Sequence, residues 1–195
     1  MNRRPFLAAT AATVLMPAVL RARNEFPSAP ALREADGYLS TSHTASFGGP
    51  PGAVRDALQS EGGGVLAFAD PTPAIPRVVR AEPLQGRFPQ VGAIRRLTFA
   101  DGNSVVERSL RNDDTAFIYQ VWAFTASNGW AVDHIRGQFA YVPVADTRTE
   151  VTWTYAIAPS KAIARPFIRR FLARDFRPFL VSGLDGAAAA FNARR

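Results

Sequence analysis

The sequence predicts an α+β fold: a curved, seven-stranded antiparallel sheet with two short helices, and a long C-terminal helix over a cavity. Three observations lead to this prediction. Strand-like segments follow one another, and most of the breaks between them have turn chemistry, which is typical of consecutive antiparallel strands. The C-terminal part changes to a helical period of apolar residues. The length of 195 residues and the 47% apolar composition suit a single domain with its own core.

The first residues have the features of an export signal. Arg3 and Arg4 stand just before an uncharged, mostly apolar stretch over residues 8–20, a basic region followed by an apolar one. That stretch is shorter than the ~20 apolar residues of a membrane span. The arginine pair, with Phe6 and Leu7 after it, resembles the bacterial twin-arginine signal. We therefore expect a periplasmic or secreted protein, with an uncleaved N-terminal anchor as the alternative.

The leader sets the expected domain boundaries. Two sites suit removal of the signal peptide, one after Ala22 and one after Ala31. We assign residues 1–31 to the signal peptide and 32–36 to a linker, because this part of the chain is polar and follows two prolines. Residues 37–195 then form the folded domain.

Composition excludes several kinds of site. Cysteine is absent, so disulfides, thiol nucleophiles and cysteine-bound zinc are excluded. Only His43 and His134 are present, too few for a site of several histidines. We predict neither a metal nor a cofactor.

The first elements are a strand and two short helices. Residues 38–47 are rich in Ser, Thr and aromatic side chains and predict a strand. Pro51 suits the first turn of a helix, and Val54 and Leu58 fall on one face of it. A run of glycines ends this helix, and residues 65–68 predict a second short one.

Six further strands complete the predicted sheet. Sequences such as Asp101-Gly102-Asn103 and Ser127-Asn128-Gly129 mark turns between them. Pro143 interrupts a strand and predicts an edge or a bulge there. The predicted strands span residues 77–84, 93–99, 105–110, 116–124, 131–144 and 150–158.

The last segment predicts one amphipathic helix, kinked near Pro178. Its apolar residues are Phe167, Ile168, Phe171, Leu172, Phe176 and Phe179, and the arginines at 165, 169, 170, 174 and 177 lie mostly on the other side. A straight helix cannot touch a strongly curved sheet everywhere. The space left between them predicts a ligand cavity.

These elements resemble a known superfamily. The matching stretches are residues 51–58, 91–97, 101–110 and 149–153 and the terminal helix. In them the chain is similar to the START-like (SRPBCC) superfamily, also called polyketide cyclase/dehydrase-like, over about residues 36–195. The resemblance implies the helix-grip fold and a cavity for a hydrophobic or amphipathic molecule, which some members cyclise or dehydrate. It also implies that Arg95 and Glu107 face that cavity.

Alternation along the strands predicts which other side chains line the cavity. It places Ile135 inward together with Asp133 and Gly137, and His134 outward or under a loop. A shift of one residue would invert any of these assignments. The predicted ligand-binding residues are Arg95, Leu97, Glu107, Phe117, Tyr119, Ile135, Trp153, Phe167 and Phe171.

Arg95 and Glu107 permit two interpretations. If both point inward, they pair with each other, with water or with the polar end of a ligand, because an unpaired buried charge is costly. Arg95 could then orient a carboxylate, and Glu107 could serve as an acid or base. The alternative is a salt bridge on the solvated face, worth under ~1 kcal/mol.

Three functions compete at this point. The preferred one is an exported binding or carrier protein for a small hydrophobic or amphipathic molecule, such as a lipid or polyketide-like compound. The second is a cyclase, dehydratase or lyase using Glu107, Arg95 and Tyr119, although no catalytic residue is assigned. The third is an interaction module whose cavity is filled by its own side chains.

The net charge of +7 is concentrated at the C-terminal end. After Ser160, Lys161 and seven arginines stand against two aspartates, a local net charge of +6 (1 + 7 − 2). We expect no nucleic-acid partner, because the chain carries an export signal, and a transient membrane contact through the basic helix.

Overall fold

The computed structural model describes residues 26–60 and 64–194. The predicted twin-arginine motif and apolar stretch, within residues 1–25, lie outside the described residues. In the described part of the chain, no helix is both long enough and apolar enough to cross a membrane.

The predicted seven-stranded antiparallel sheet is confirmed, and its order is β1-β7-β6-β5-β4-β3-β2. Strands β2 to β7 therefore lie side by side in chain order, and β1 pairs with β7 at the far edge. The strands are β1 (Leu39–Phe47), β2 (Val78–Gln85), β3 (Ile94–Phe99), β4 (Ser104–Asn112), β5 (Ala116–Trp122), β6 (Val132–Ala145) and β7 (Arg148–Pro159).

Two irregularities bend β6. The pairing with β7 shifts register between Pro143 and Ala145, as the proline predicts. A second shift lies between Val132 and His134, around Asp133. The prediction that Asp133 faces inward with Ile135 is therefore wrong, because the extra residue in a bulge is turned out of the alternation. The Asp133 carboxylate binds Arg33 (2.8 Å) and the His134 ring (3.1 Å) instead.

The N-terminal segment, residues 26–38, lies on the outer face of the sheet. The indole of Trp122 donates to the carbonyl of Pro27 (2.7 Å), and the Gln120 amide donates to the carbonyl of Pro30 (2.9 Å). Both side chains are almost fully buried, so this segment satisfies polar groups that would otherwise lack partners. This segment is therefore packed as part of the fold. Its polar, proline-containing sequence predicts instead the end of the signal peptide followed by a linker.

His134 is fully buried beneath the same segment, one of the two placements that alternation allows. The Tyr38 hydroxyl is 2.8 Å from its Nε2. Burial lowers the pKa of His134, although the nearby Asp133 acts in the opposite direction. The imidazole has a structural role on the outer face of the sheet.

The helices follow the predicted order with one difference. Helix α1 spans Pro51–Leu58, and a 3₁₀ turn over Gly64–Ala67 stands for the second short helix. The C-terminal helix consists of α2 (Arg165–Phe171), a wide π-helical turn (Leu172–Phe176) and α3 (Arg177–Asn192). The irregularity therefore lies just before Pro178 rather than at it. Proline has no backbone N–H, so one hydrogen bond of the regular helix is missing at Pro178. The wider π-helical turn before it accommodates this missing bond.

Helix α3 is fixed to the sheet at its C-terminal half. Asp185 pairs with His43 of β1 at 2.7 Å, and the Asn192 amide oxygen accepts from the backbone N–H of Gly48 at 2.7 Å. At Gly183 an added Cβ would lie 3.1 Å from the Trp153 ring, so a side chain there would require its neighbours to move by a few tenths of an ångström. The other half of the C-terminal helix stands over a cavity.

Candidate functional site

A cavity of about 590 Å³ lies between the concave face of the sheet, the start of the C-terminal helix and the loop around residues 65–78. This volume is in the range of small-molecule sites. A cavity of this volume argues against the third function, an interaction module whose cavity is filled by its own side chains. All the predicted ligand-binding residues line it, and their contact with a ligand stays a prediction: Arg95, Leu97, Glu107, Phe117, Tyr119, Ile135, Trp153, Phe167 and Phe171.

Arg95 and Glu107 form an ion pair in the wall of this cavity. They lie directly opposite each other on β3 and β4, and the arginine Nε donates to the glutamate Oε2 at 2.7 Å. The Glu107 side chain is 4% exposed and that of Arg95 is 21% exposed. The pair is therefore inward and desolvated, as the resemblance implied, and the solvated-face alternative is wrong.

The guanidinium of Arg95 is held from two sides. Its central carbon lies 3.5 Å from the centre of the Phe88 ring, a cation–π contact, while its Nε is engaged by Glu107. Among the described residues, its two terminal amino groups have no hydrogen-bond acceptor. They remain free to bind a polar group of a ligand, and a guanidinium fork suits a carboxylate.

Two phenols lie beside the ion pair. The Trp153 indole N–H donates to the Tyr119 hydroxyl at 3.0 Å, and the Tyr155 ring meets the Tyr119 ring edge to face. Burial raises the pKa of both phenols well above the usual value of 10.0, and the negative charge of Glu107 acts in the same direction. Both hydroxyls are protonated at neutral pH and act as hydrogen-bond donors.

An unbroken series of aromatic contacts covers the wall. The series begins at the half-buried Phe88, whose ring meets Phe117, and it ends at the surface with Phe167 against Trp130. Successive ring centres are 4.5 to 6.3 Å apart. The order is Phe88, Phe117, Tyr119, Tyr155, Phe176, Phe171, Phe167 and Trp130. Such a wall favours a ligand with a flat or conjugated apolar body.

Sequence reasoning missed several lining residues. Phe139 follows Ile135 at even spacing on β6, so alternation contained its signal. Alternation places Tyr155 on the same face as Trp153, although Tyr155 was not among the predicted ligand-binding residues. Phe176 and Phe179 were recognised as the apolar face of the helix without being assigned to the site. Phe88 lies in the loop between β2 and β3, where no periodicity applies.

Part of the cavity lining is exposed at the loop after β5 and the start of α2, and we call this part the mouth of the cavity. Ser127, Asn128 and Gly129 line it on one side, and Phe167, which is 40% exposed, lines it on another. Within residues 26–60 and 64–194, no three His, Asp or Glu side chains come together in a group able to hold a metal ion.

A sequence model of the family described as "Polyketide cyclase / dehydrase and lipid transport" matches residues 39–192. That range runs from the first strand to the end of the last helix and contains every residue of the site. The chain belongs to this family. No curated protein sequence matches the chain.

Solved structures with the same fold include two enzymes. The Zhui aromatase/cyclase of Streptomyces sp. R1128 is 18% identical, with a TM-score of 0.55 over 77% of this chain and 93% of that one. The norcoclaurine synthase of Thalictrum flavum is 12% identical, with a TM-score of 0.59 over 80% and 96%. A major latex-like protein of Panax ginseng is 12% identical, with a TM-score of 0.54 over 79% and 97%. At these identities the likeness shows a shared fold, and function must be argued from the site.

Proposed function

We propose that this protein is an exported carrier that holds one small amphipathic molecule in its cavity. The observation that carries the proposal is that the cavity wall combines a long aromatic surface with one buried ion pair, Arg95–Glu107. An apolar body fits the first, and a polar end fits the second. Lipids and polyketide-like compounds combine these two features.

The polar group favours an acidic ligand. Glu107 already neutralises one side of Arg95, but the free amino groups of Arg95 are donors, and the two interacting phenols leave one further O–H donor. An oxyanion or carbonyl can accept from several of them at once, whereas a cationic head would find few acceptors. The proposed ligand therefore ends in a carboxylate, an enolate or a similar oxygen-rich group.

The test compares an acidic amphiphile with its neutral ester. Arg95→Ala should weaken binding of a fluorescent long-chain carboxylic acid by about tenfold or more, since a charge-assisted hydrogen bond contributes roughly 1.5–3 kcal/mol. Binding of the methyl ester should change much less. Arg96→Ala is the matched control, because Arg96 is next on the same strand and its side chain is not in the cavity wall. Equal losses for acid and ester in Arg95→Ala would refute the proposed role.

Export through the twin-arginine route is part of this proposal. Arg3→Lys/Arg4→Lys should leave the precursor inside the cell, and unchanged secretion would contradict the route. Of the two candidate cleavage sites, the one after Ala22 keeps the outer-face contacts of Pro27 and Pro30, whereas cleavage after Ala31 would remove both. We therefore propose cleavage after Ala22, and the intact mass of the exported protein tests it.

A cyclase, dehydratase or lyase is the second candidate, favoured by one observation. Glu107 lies close enough to Tyr119 and Tyr155 to act on both hydroxyls electrostatically, which assembles a carboxylate and two donors in one place. The raised pKa values keep both phenols protonated at neutral pH, so neither can accept a proton and Glu107 is the base in this candidate. Loss of turnover in Glu107→Gln, with an unchanged circular dichroism spectrum, would favour it over the carrier.

A further inference from the structure

One surface patch combines exposed apolar side chains with unpaired positive charge. Its apolar members are Trp130, before β6, together with Ile163 and Phe167, at the start of the C-terminal helix. Its basic members are Lys161, Arg165, Arg169 and Arg170. We refer to these seven residues as the docking patch.

The apolar members are unusually exposed for their size. Ile163 is 79%, Trp130 61% and Phe167 40% exposed to solvent. The Trp130 and Phe167 rings stack with their centres 6.3 Å apart, and Ile163 lies one helical turn before Phe167. Clustered exposed apolar groups of this kind mark interaction sites more often than scattered ones do.

The basic members are not neutralised within the protein. Residues 161–177 contain six Lys and Arg and one Asp, a net charge of +5 (6 − 1). Among the described residues, no carboxylate forms an ion pair with Lys161, Arg165, Arg169 or Arg170, whereas Arg33, Arg55, Arg80 and Arg111 are paired elsewhere on the surface. The docking patch therefore combines unpaired positive charges with a group of exposed apolar side chains.

The docking patch lies beside the mouth of the cavity. Phe167 belongs to both, since it lines the cavity and is also exposed. Trp130 directly follows Gly129, which lines the cavity from the other side of the mouth. The series of aromatic contacts that runs down to Phe88 begins at this patch.

We propose that the docking patch binds an anionic lipid bilayer and that the mouth of the cavity opens onto the membrane there. Indole and phenyl rings favour the membrane–water interface, aliphatic groups insert into its apolar edge, and Lys and Arg are attracted to anionic headgroups. A nucleic acid suits this patch less well, because its phosphates would contact the basic side chains but offer no apolar partner to the exposed side chain of Ile163. The proposal rests on the proposed carrier function, because docking would serve to let an amphiphile pass between the bilayer and the cavity without crossing water.

The experiment is co-sedimentation of the exported protein with vesicles. Vesicles of phosphatidylglycerol and phosphatidylcholine in equal parts should bind it, whereas pure phosphatidylcholine should bind it far less, and added salt should weaken the binding. Arg169→Gln/Arg170→Gln should reduce the vesicle affinity about 25-fold, at roughly fivefold for each basic residue near an anionic surface. Trp130→Ala/Ile163→Ala should reduce it about tenfold or more.

Matched variants elsewhere provide the control. Arg80→Gln/Arg148→Gln removes the same charge from other exposed positions, and Val142→Ala removes an exposed apolar group from the β6–β7 end of the sheet; both should retain vesicle binding. Absence of binding, equal binding to neutral vesicles, or equal losses in patch and control variants would each overturn the proposal. Retention of duplex DNA but not of vesicles would overturn it in favour of a nucleic-acid surface.

Uptake of the fluorescent acid without vesicles separates the two proposals. The patch variants should take up this probe as the wild type does, because Trp130, Ile163, Arg169 and Arg170 do not line the cavity. Vesicle binding without probe uptake would refute the carrier and leave the docking patch standing. Probe uptake without vesicle binding would do the reverse.

Discussion

Replacing Arg95 by methionine tests whether the ion pair in the cavity wall is desolvated. Methionine keeps much of the length of the arginine side chain and its contact with the Phe88 ring, but it removes the positive charge. The Glu107 carboxylate, 4% exposed, would then lose its only ion-pair partner among the described residues. Leaving a buried charge without its partner costs about 3–5 kcal/mol. We expect Arg95→Met to lower the free energy of unfolding by that amount at neutral pH.

Two further variants separate the charge from the packing. Glu107→Gln removes the other charge, but the better-exposed Arg95 keeps water and the Phe88 ring, so a smaller loss of about 1–2 kcal/mol is expected. The double variant Arg95→Met/Glu107→Met leaves no unpaired charge and should recover most of the stability. The effects of the two substitutions on the free energy of unfolding should therefore be non-additive.

Urea denaturation followed by tryptophan fluorescence measures these differences. The chain has three tryptophans, and Trp122 and Trp153 are almost fully buried. A loss below ~1 kcal/mol in Arg95→Met, the size expected for a solvated pair, would refute the reasoning. So would a double variant no more stable than Arg95→Met.

The remaining predictions concern packing and pH. In Gly137→Ala the added methyl group would overlap the ring of Tyr119, its partner on β5, so a loss of about 1–3 kcal/mol in thermal or urea unfolding is expected, and an unchanged stability would contradict this close approach. Because burial lowers the pKa of His134 in the folded protein, the unfolded chain takes up a proton at this histidine at a higher pH than the folded protein does. Stability should therefore fall as the pH drops below 6.5, and urea titrations of His134→Gln should show a weaker dependence if this is correct. Because burial raises the pKa of Tyr119 and Tyr155, stability should fall as the pH rises above 10.0; in an absorbance titration, ionisation of both phenols in the folded protein near 10.0 would contradict their burial.

The sheet could be predicted from the sequence because its turns and its alternation carry local signals. Most strands are bounded by a turn sequence such as Asp101-Gly102-Asn103, and from β2 to β7 neighbouring strands in the chain are neighbours in the sheet. The pairing of β1 with β7 has no local signal and was not predicted from the sequence. The inward residues followed from the two-residue period, which holds wherever a strand is regular.

The errors occurred where that period is interrupted. The bulge around Asp133 turns its side chain outward, and a bulge of one residue leaves no trace in composition. Phe88 reaches the cavity from a loop, where its position depends on the backbone path. The polar sequence of residues 26–36 suggests a linker, but its backbone carbonyls satisfy Gln120 and Trp122, and such contacts depend on tertiary structure alone.

Native mass spectrometry of the gently purified protein tests the central claim most directly. The wild type should carry one co-purified small molecule, released on unfolding, whose fragments show an apolar body and an acidic or carbonyl end. Val121→Phe, which places a ring in the cavity from near the end of β5, should carry much less of it. A wild type that is empty under all gentle conditions and fails to take up added amphiphiles, or a Val121→Phe variant loaded as fully as the wild type, would contradict the account.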